Sequence, residues 1–324
     1  MTVASGRRAI SWVPVGILVV GVVAAAGTSL STAPTMTATR QWRSDVSGTT
    51  VNVSDPNKAA ATSDAQHLLG IVEVPQGWTS VSRPPSRCLD APDFAEATPN
   101  LVDLYEFWTT GGSWQEVQAW AVAHRPAGST QSESGTLTQD MVLSSGIGFA
   151  YPAIANRFAS RQLVIEVAPL PHGGAGVRLD AQVIWYPSRS KAELVPPGTT
   201  TVTATVFSRT NGTASTTAVL AEETFTTPSV VQRLARKVDS LPLVIPGTTA
   251  LCPDVFGPQV ELVFSGRPGV PKVVVSDDPV GCGTVSFTIA KTAEAPLTDD
   301  GLTRQVEKLL GLPTALRAGK PPGT

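Results

Sequence analysis

Charge is scarce in this chain. Of its 324 residues only 15% are charged, against roughly a quarter in an average soluble domain. Lysine and arginine number 24 and the carboxylates 26, for a net charge of −2. That balance leaves no one-signed field to draw the chain onto nucleic acid, which is set aside as a partner. Histidine and cysteine are nearly missing, with 3 of each. They offer little from which to build a metal cage, so no metal and no cofactor is expected. Catalytic signatures are lacking too. There is no G-x-S-x-G elbow, no H-E-x-x-H, no phosphate loop, no C-x-x-C and no G-x-G-x-x-G. These absences point away from an enzyme.

What the chain does have is apolar material, 42% of its residues, enough for the cores of one or two domains. Much of it sits at the start. Arg7 and Arg8 precede an uncharged run of 19 residues, Ala9 to Gly27, and no charge returns before Arg40. A helix needs about 20 apolar residues to cross a bilayer core. Basic residues stay on the cytoplasmic side, so the remainder is expected to face outward. Residues 1–27 are therefore read as a signal anchor that holds the protein in the membrane through residues 9–27. Cleavage after Ala26 remains open beside it, because Ala24-Ala25-Ala26 offers a small-x-small site. Cleavage would make the protein secreted.

Residues 28–66 are rich in Thr, Ser and Ala, carry Pro34 and Asp55-Pro56, and lack apolar periodicity. Such a stretch buries too little surface to offset its ordering entropy. It is expected to be a flexible extracytoplasmic stalk.

Periodicity then returns. Leu101 to Trp108 has strand character, and Ser113 with Glu116 has the spacing of a capping box ahead of a helix that stops at Arg125-Pro126. Gln162–Leu170 and Val177–Trp185 flank a glycine-rich link and form an expected hairpin. In the second run Val177, Leu179, Ala181, Val183 and Trp185 fall on one face, and Arg178, Asp180, Gln182, Ile184 and Tyr186 on the other. The breaker-rich segment 187–198 marks a boundary. Beyond it, strands are expected at 201–209, 216–226, 260–264, 272–275 and 285–289. Helices are expected over 228–241, with Val231, Leu234, Val238 and Leu241 on one face, and over 300–310. The fold class expected is α+β. Two similar small units, 67–187 and 188–324, each an antiparallel sheet with one or two helices, would stand behind the N-terminal transmembrane helix.

Cys252 and Cys282 bracket two expected strands. Outside the cytoplasm such a pair can oxidise and persist, and closing that loop contributes roughly 3–4 kcal/mol in the chain-entropy model; two buried thiols are the alternative. Cys88, in the loop RPPSRCLD, is the odd one out, either free or paired with another chain. Ser188 and Lys191 match S-x-x-K, but the companion S-D-N and K-T-G elements are missing. Asp277-Asp278 and Glu222-Glu223 are neighbours on strands and point to opposite faces. Asp299-Asp300 suits a helix start. His67, His124 and His172 read as surface residues.

One face stands out by composition. Arg178, Asp180, Gln182 and Tyr186 share it, and Arg189 and Glu193 follow just beyond. A polar face with an aromatic edge can hydrogen-bond a partner, so these six residues are the candidate binding face. A solvent-facing strand with an inter-strand salt bridge is the plainer account.

The segments VRLDAQVIWYPSRSKAELVPPG and SLPLVIPGTTALCPDVFGPQVELVF, with VGCGTVSFTI, resemble an uncharacterised set of exported, membrane-attached proteins of high-GC Gram-positive bacteria. The resemblance covers Val177 to Ile289. It implies export, a Cys252–Cys282 disulfide and the two-part layout, and it brings no activity. Arginine outnumbers lysine, which fits such a source. The expected function is a non-catalytic, membrane-anchored, extracytoplasmic module that binds an envelope protein or a wall polymer. An envelope hydrolase with a dispersed active site and a structural partner of a membrane complex are the alternatives.

Overall fold

The structure, a computed structural model, describes residues 43–44, 55–92, 94–139, 141–208, 218–247, 258–278, 283–299 and 301–312. All of them belong to one compact unit, Gln41–Thr324. The apolar run at 9–27, Cys252 and Cys282 lie outside the described residues. No helix among the described residues is long and apolar enough to cross a membrane. The fold is α+β, with two antiparallel sheets and few helices.

The first sheet is built from β1 (Arg43–Ser44), β2 (Thr79–Val81), β3 (Leu101–Thr110), β4 (Thr130–Gln139), β5 (Met141–Ala150), β6 (Phe158–Pro169) and β7 (Ala175–Trp185). Its order is β1-β3-β7-β6-β5-β4, with β2 also on β3. The expected hairpin is β6–β7, in register from Phe158↔Trp185 to Pro169↔Ala175. Its tight link uses Gly173 and Gly174, at φ 91° and 81°, a conformation that favours glycine.

Helices α1 (Pro56–Gly70) and α2 (Trp114–Ala123) cover one face of this sheet. Leu104, Leu163, Leu179, Ala181 and Phe149 meet Ala65, Leu68, Val117 and Ala121 there. The capping box at the start of α2 forms as its spacing requires, with Ser113 and Glu116 satisfying each other's backbone N–H groups.

Helix α1 corrects the expected stalk. Residues 56–66 are not coil. Asp55 caps the helix by accepting the Asn57 N–H at 2.8 Å, and Pro56 occupies the first turn, where a missing N–H costs nothing. Ala61, Ala65, Leu68 and Leu69 are buried. The stripe is made half of alanine, so it is faint in hydropathy. Only the sheet beneath it supplies the burial that makes the helix stable. Arg161 on β6 grips Asp64 of α1 through two bonds of 2.7 Å, which fixes the helix along the sheet.

The second sheet comprises β8 (Thr199–Ser208), β9 (Ala218–Phe225), β10 (Gln259–Gly266), β11 (Val273–Asp278), β12 (Thr284–Ile289), β13 (Thr292–Ala293) and β14 (Leu297–Thr298). The order is β13-β12-β11-β10-β8-β9, with β14 also on β12. Helices α3 (Pro228–Asp239) and α4 (Leu302–Leu309) pack on one face. Val231, Leu234 and Val238 of α3, with Leu241 just beyond it, are all buried. Asp299 accepts the Leu302 N–H at 2.8 Å and so starts α4. Asp277, fully buried in the sheet, accepts from the Thr303 N–H and hydroxyl.

The two halves are not repeats in strand order. In the first, α2 carries the chain to the far edge and β4 to β7 return to pair with β3. In the second, α3 carries it back beside β8 and β10 to β12 run outward. Similar element strings hide this, because the string does not say where a helix delivers the next strand.

Replacing Leu68, 1% exposed, by alanine is expected to cost about 2–5 kcal/mol. It should also make the 50–70 region the first site of proteolytic nicking. Thermal unfolding with mapped proteolysis checks both, and an unchanged midpoint would contradict the packed helix.

Candidate functional site

The face of the first sheet opposite the helices is the one bearing the expected binding residues. Register places its side chains in rows across the strands. Asp103, Gln182 and Gln162 form one row; Tyr105, Asp180 and Val164 the next; Phe107, Arg178, Glu166 and Gly146 a third. In a half-open sheet this face would be wet. Here every residue of β7 is buried. Arg178 is 1% exposed, Asp180 0%, Gln182 2% and Glu166 0%.

The cover is the segment before β3. Pro85 rests on Gly176, where a Cβ would come within 2.6 Å of the proline ring. The turn Arg87–Leu89 crosses the strands and buries Leu89 completely. Phe94 lies over Gly146 and Gly135. Two glycines under one aromatic ring make a bed that side chains would fill.

Arg178 sits at the centre. Its Nε donates to Asp180 at 2.7 and 2.9 Å, and its Nη2 lies 2.7 Å from the same carboxylate and 3.5 Å from Asp103. Its Nη1 donates to the carbonyls of Leu89, at 3.1 Å, and Asp90, at 2.9 Å. The guanidinium also lies over the Tyr105 ring, 4.5 Å from the centroid, and near Phe107 at 5.6 Å. Residues 178 and 180 are two apart on one strand, so they share a face and meet without any long-range folding. One arginine faces three carboxylates, however. Burial first, then Asp103, pushes the Asp180 carboxyl well above its ordinary value; Arg178 opposes this and Glu166 adds to it. Gln162 donates to the Gln182 side-chain oxygen at 2.7 Å. Among the described residues the Gln182 side-chain nitrogen has no partner.

The other expected site residues lie elsewhere. Tyr186 is half-buried at the exit of β7, where its carbonyl accepts from the Asn57 side chain at 2.9 Å. Arg189 belongs to the second half. Its Nη1 donates to the carbonyls of Val238 (2.7 Å) and Leu241 (3.3 Å), its Nη2 donates to the Glu193 carbonyl, and it stacks over Phe287 at 5.0 Å. Burial lowers its pKa. The Glu193 carboxylate accepts the Ser190 N–H at 2.6 Å. The six residues thus fall into two groups. Arg178, Asp180 and Gln182 share a covered trough, while Tyr186, Arg189 and Glu193 shape the connection between the sheets. Alternation along β7 showed which residues share a face but not that a segment ninety residues earlier would close over it.

His67, His124 and His172 are exposed, as their positions suggest. His124 stacks on Trp120, which meets Trp78 at 4.9 Å. Among the described residues no group of three His, Cys, Asp or Glu side chains is placed to hold a metal. Cys88 is a free thiol in the covering turn.

The second sheet has a further polar surface, on the side away from its helices among the described residues. Val202, Ala204 and Val206 point to the helices, so Thr201, Thr203 and Thr205 point away. Thr224, Thr203, Val263, Val274 and Thr288 form one row there, and Glu222, Thr205, Glu261, Ser276 and Ser286 the next. Most are half-buried or exposed. The hydroxyls of Thr203 and Thr224 are 2.9 Å apart, and Gln259 donates to the Ser276 hydroxyl at 3.1 Å. The signal for this face was present as T-x-T-x-T in β8.

No protein-family model, no curated protein and no solved structure matches this chain. The trough and the hydroxyl-bearing face therefore stand on their own chemistry.

Replacing Arg178 by methionine leaves buried carboxylates without their cation and is expected to cost about 3–5 kcal/mol. The raised Asp180 pKa sets a pH dependence. Between the ordinary carboxylate value and the raised one, the folded state holds a proton that the unfolded chain releases, so stability falls as pH rises. Asp180→Asn should flatten that slope in urea midpoints taken from about pH 4 to pH 8. An identical slope would place the proton elsewhere.

Proposed function

We propose that this protein is a non-catalytic, membrane-tethered extracytoplasmic module that binds a neutral, hydroxyl-rich envelope polymer through the open face of its second sheet. The observation carrying this reading is the array of threonine and serine hydroxyls on β8, β9, β11 and β12. It is flanked by the acceptors Glu222 and Glu261 and by the Gln259 amide. Hydroxyls paired with carboxylates and amides suit a polyol, whose groups both donate and accept. Carboxylates on the same face disfavour an anionic polymer. The other readings, a protein ligand for this face and a structural role in a membrane complex, fit a more apolar surface better.

Tethering is supported by the apolar run at 9–27 behind Arg7 and Arg8. A Cys252–Cys282 bridge follows from the compartment this implies. It is helped by the described flanks: Val260 pairs with Asp277, and Asp278 with Thr284. The chain leaving toward each cysteine therefore starts from one end of the sheet.

Two measurements test the proposal. Full-length protein in detergent should sediment with insoluble, neutral wall polysaccharide, and Thr203→Lys with Ser276→Lys should reduce the bound fraction at least tenfold while the unfolding midpoint holds. Unchanged retention by the double variant would remove this face as the site. In protoplasts, added protease should digest the part after residue 54, and non-reducing peptide maps should show Cys252 linked to Cys282. A protected C-terminal part, or two alkylated thiols without reductant, would end the tethered reading.

A further inference from the structure

We propose that the polar trough of the first sheet is a peptide-binding site occupied in cis by residues 84–92 and Phe94. This goes beyond the polymer reading and rests on a different sheet. Three features of the cover are those of a bound peptide. Arg178 reads main-chain oxygens, those of Leu89 and Asp90, at 3.1 and 2.9 Å. Gly176 gives Pro85 a flat seat, and Gly146 gives one to Phe94. These contacts recognise a backbone and two rings, so another segment with proline and an aromatic residue nine positions apart fits the same seats.

The cover also has the physics of a removable one. Its own backbone bonds are local, from Leu89 N–H to Ser86 and from Asp90 N–H to Arg87. Among its described residues only Leu89 is fully buried, and Arg87, Asp90 and Ala91 are exposed. Beneath it lie Arg178 and, in the same rows of the sheet, Asp180 and Glu166, groups that water solvates well. Lifting the cover therefore wets charged groups together with Tyr105, Phe107 and Val164 beside them, and a segment held by so few backbone bonds of its own is drawn from the low-stability end of a fold. Further along the same face Gln182 is 2% exposed and its side-chain nitrogen is unpartnered among the described residues, which leaves a donor in the trough.

The test supplies the segment in trans. A synthetic peptide spanning residues 83–95, with serine in place of Cys88 and a photo-crosslinker at Leu89, is titrated against full-length protein and against Phe94→Ala. Phe94 is only half-buried, and removing its ring loosens the internal occupant. The peptide should bind Phe94→Ala at least tenfold more tightly than wild type and crosslink to β6 or β7. Peptides lacking the Pro85 or the Phe94 ring should lose that gain, a readout independent of how any protein variant folds. Three results would overturn the proposal: no saturable binding at millimolar peptide, equal binding of a scrambled peptide, or crosslinks outside the first sheet.

Discussion

The structure of the first half depends on one constraint: a guanidinium that leaves water must have every donor engaged. Arg178 meets it with Asp180 two residues along its own strand, with two carbonyls from a distant turn and with two aromatic rings. The carbonyls are what tie the covering segment down. Arg178 gives the turn a polar attachment to the middle of the sheet, and the turn keeps the arginine dry. Buried charge of this kind contributes little net stability, because desolvation offsets most of the attraction. Its effect is to permit one arrangement and penalise others.

A second set of polar contacts holds the two halves of the chain in sequence. Asp55 accepts from the Ser188 N–H and hydroxyl, at 2.8 Å each, and Asn57 reaches the carbonyls of Asn156 and Tyr186. One residue later Arg189 turns to the end of α3. Thr98 donates to Pro246 at 2.7 Å, and Gly247 lies against the Ala97 carbonyl, where a Cβ would meet it at 2.7 Å. The connection is thus fixed at its start by α1 and at its end by the second sheet. The first described helix, which follows directly on the expected tether, also braces the connection.

The edges of the sheets divide in the same way. Each sheet has one edge covered by strands of two or three residues, β1 and β2 on β3, and β13 and β14 on β12. The other edge is a long hairpin strand, β4 or β9. Bulges interrupt β4 between Gln131 and Glu133 and between Leu137 and Thr138, and a bulged strand twists away from flat pairing. Glu133 lies on β4, its pKa raised by burial and by Glu96.

Much of the local structure was legible in the residues. The capping box of α2, the β6–β7 hairpin, the buried stripe of α3 and the alternation in β7 all follow from interactions a few residues apart or from a period that one face imposes. The strand pair β4–β5 was not legible, since its serines, threonines and glycines carry little apolar signal, and Phe94, which covers Gly135 and Gly146, arrives from outside the pair. Helix α1 was missed for a similar reason: alanine is a weak marker of a buried face until a sheet lies under it. Which residues share a side of β7 was a property of the chain alone, because side chains alternate wherever the backbone is extended. Whether that side meets water, a partner or a turn from elsewhere was decided only by the tertiary structure, since burial depends on what the rest of the chain brings over it.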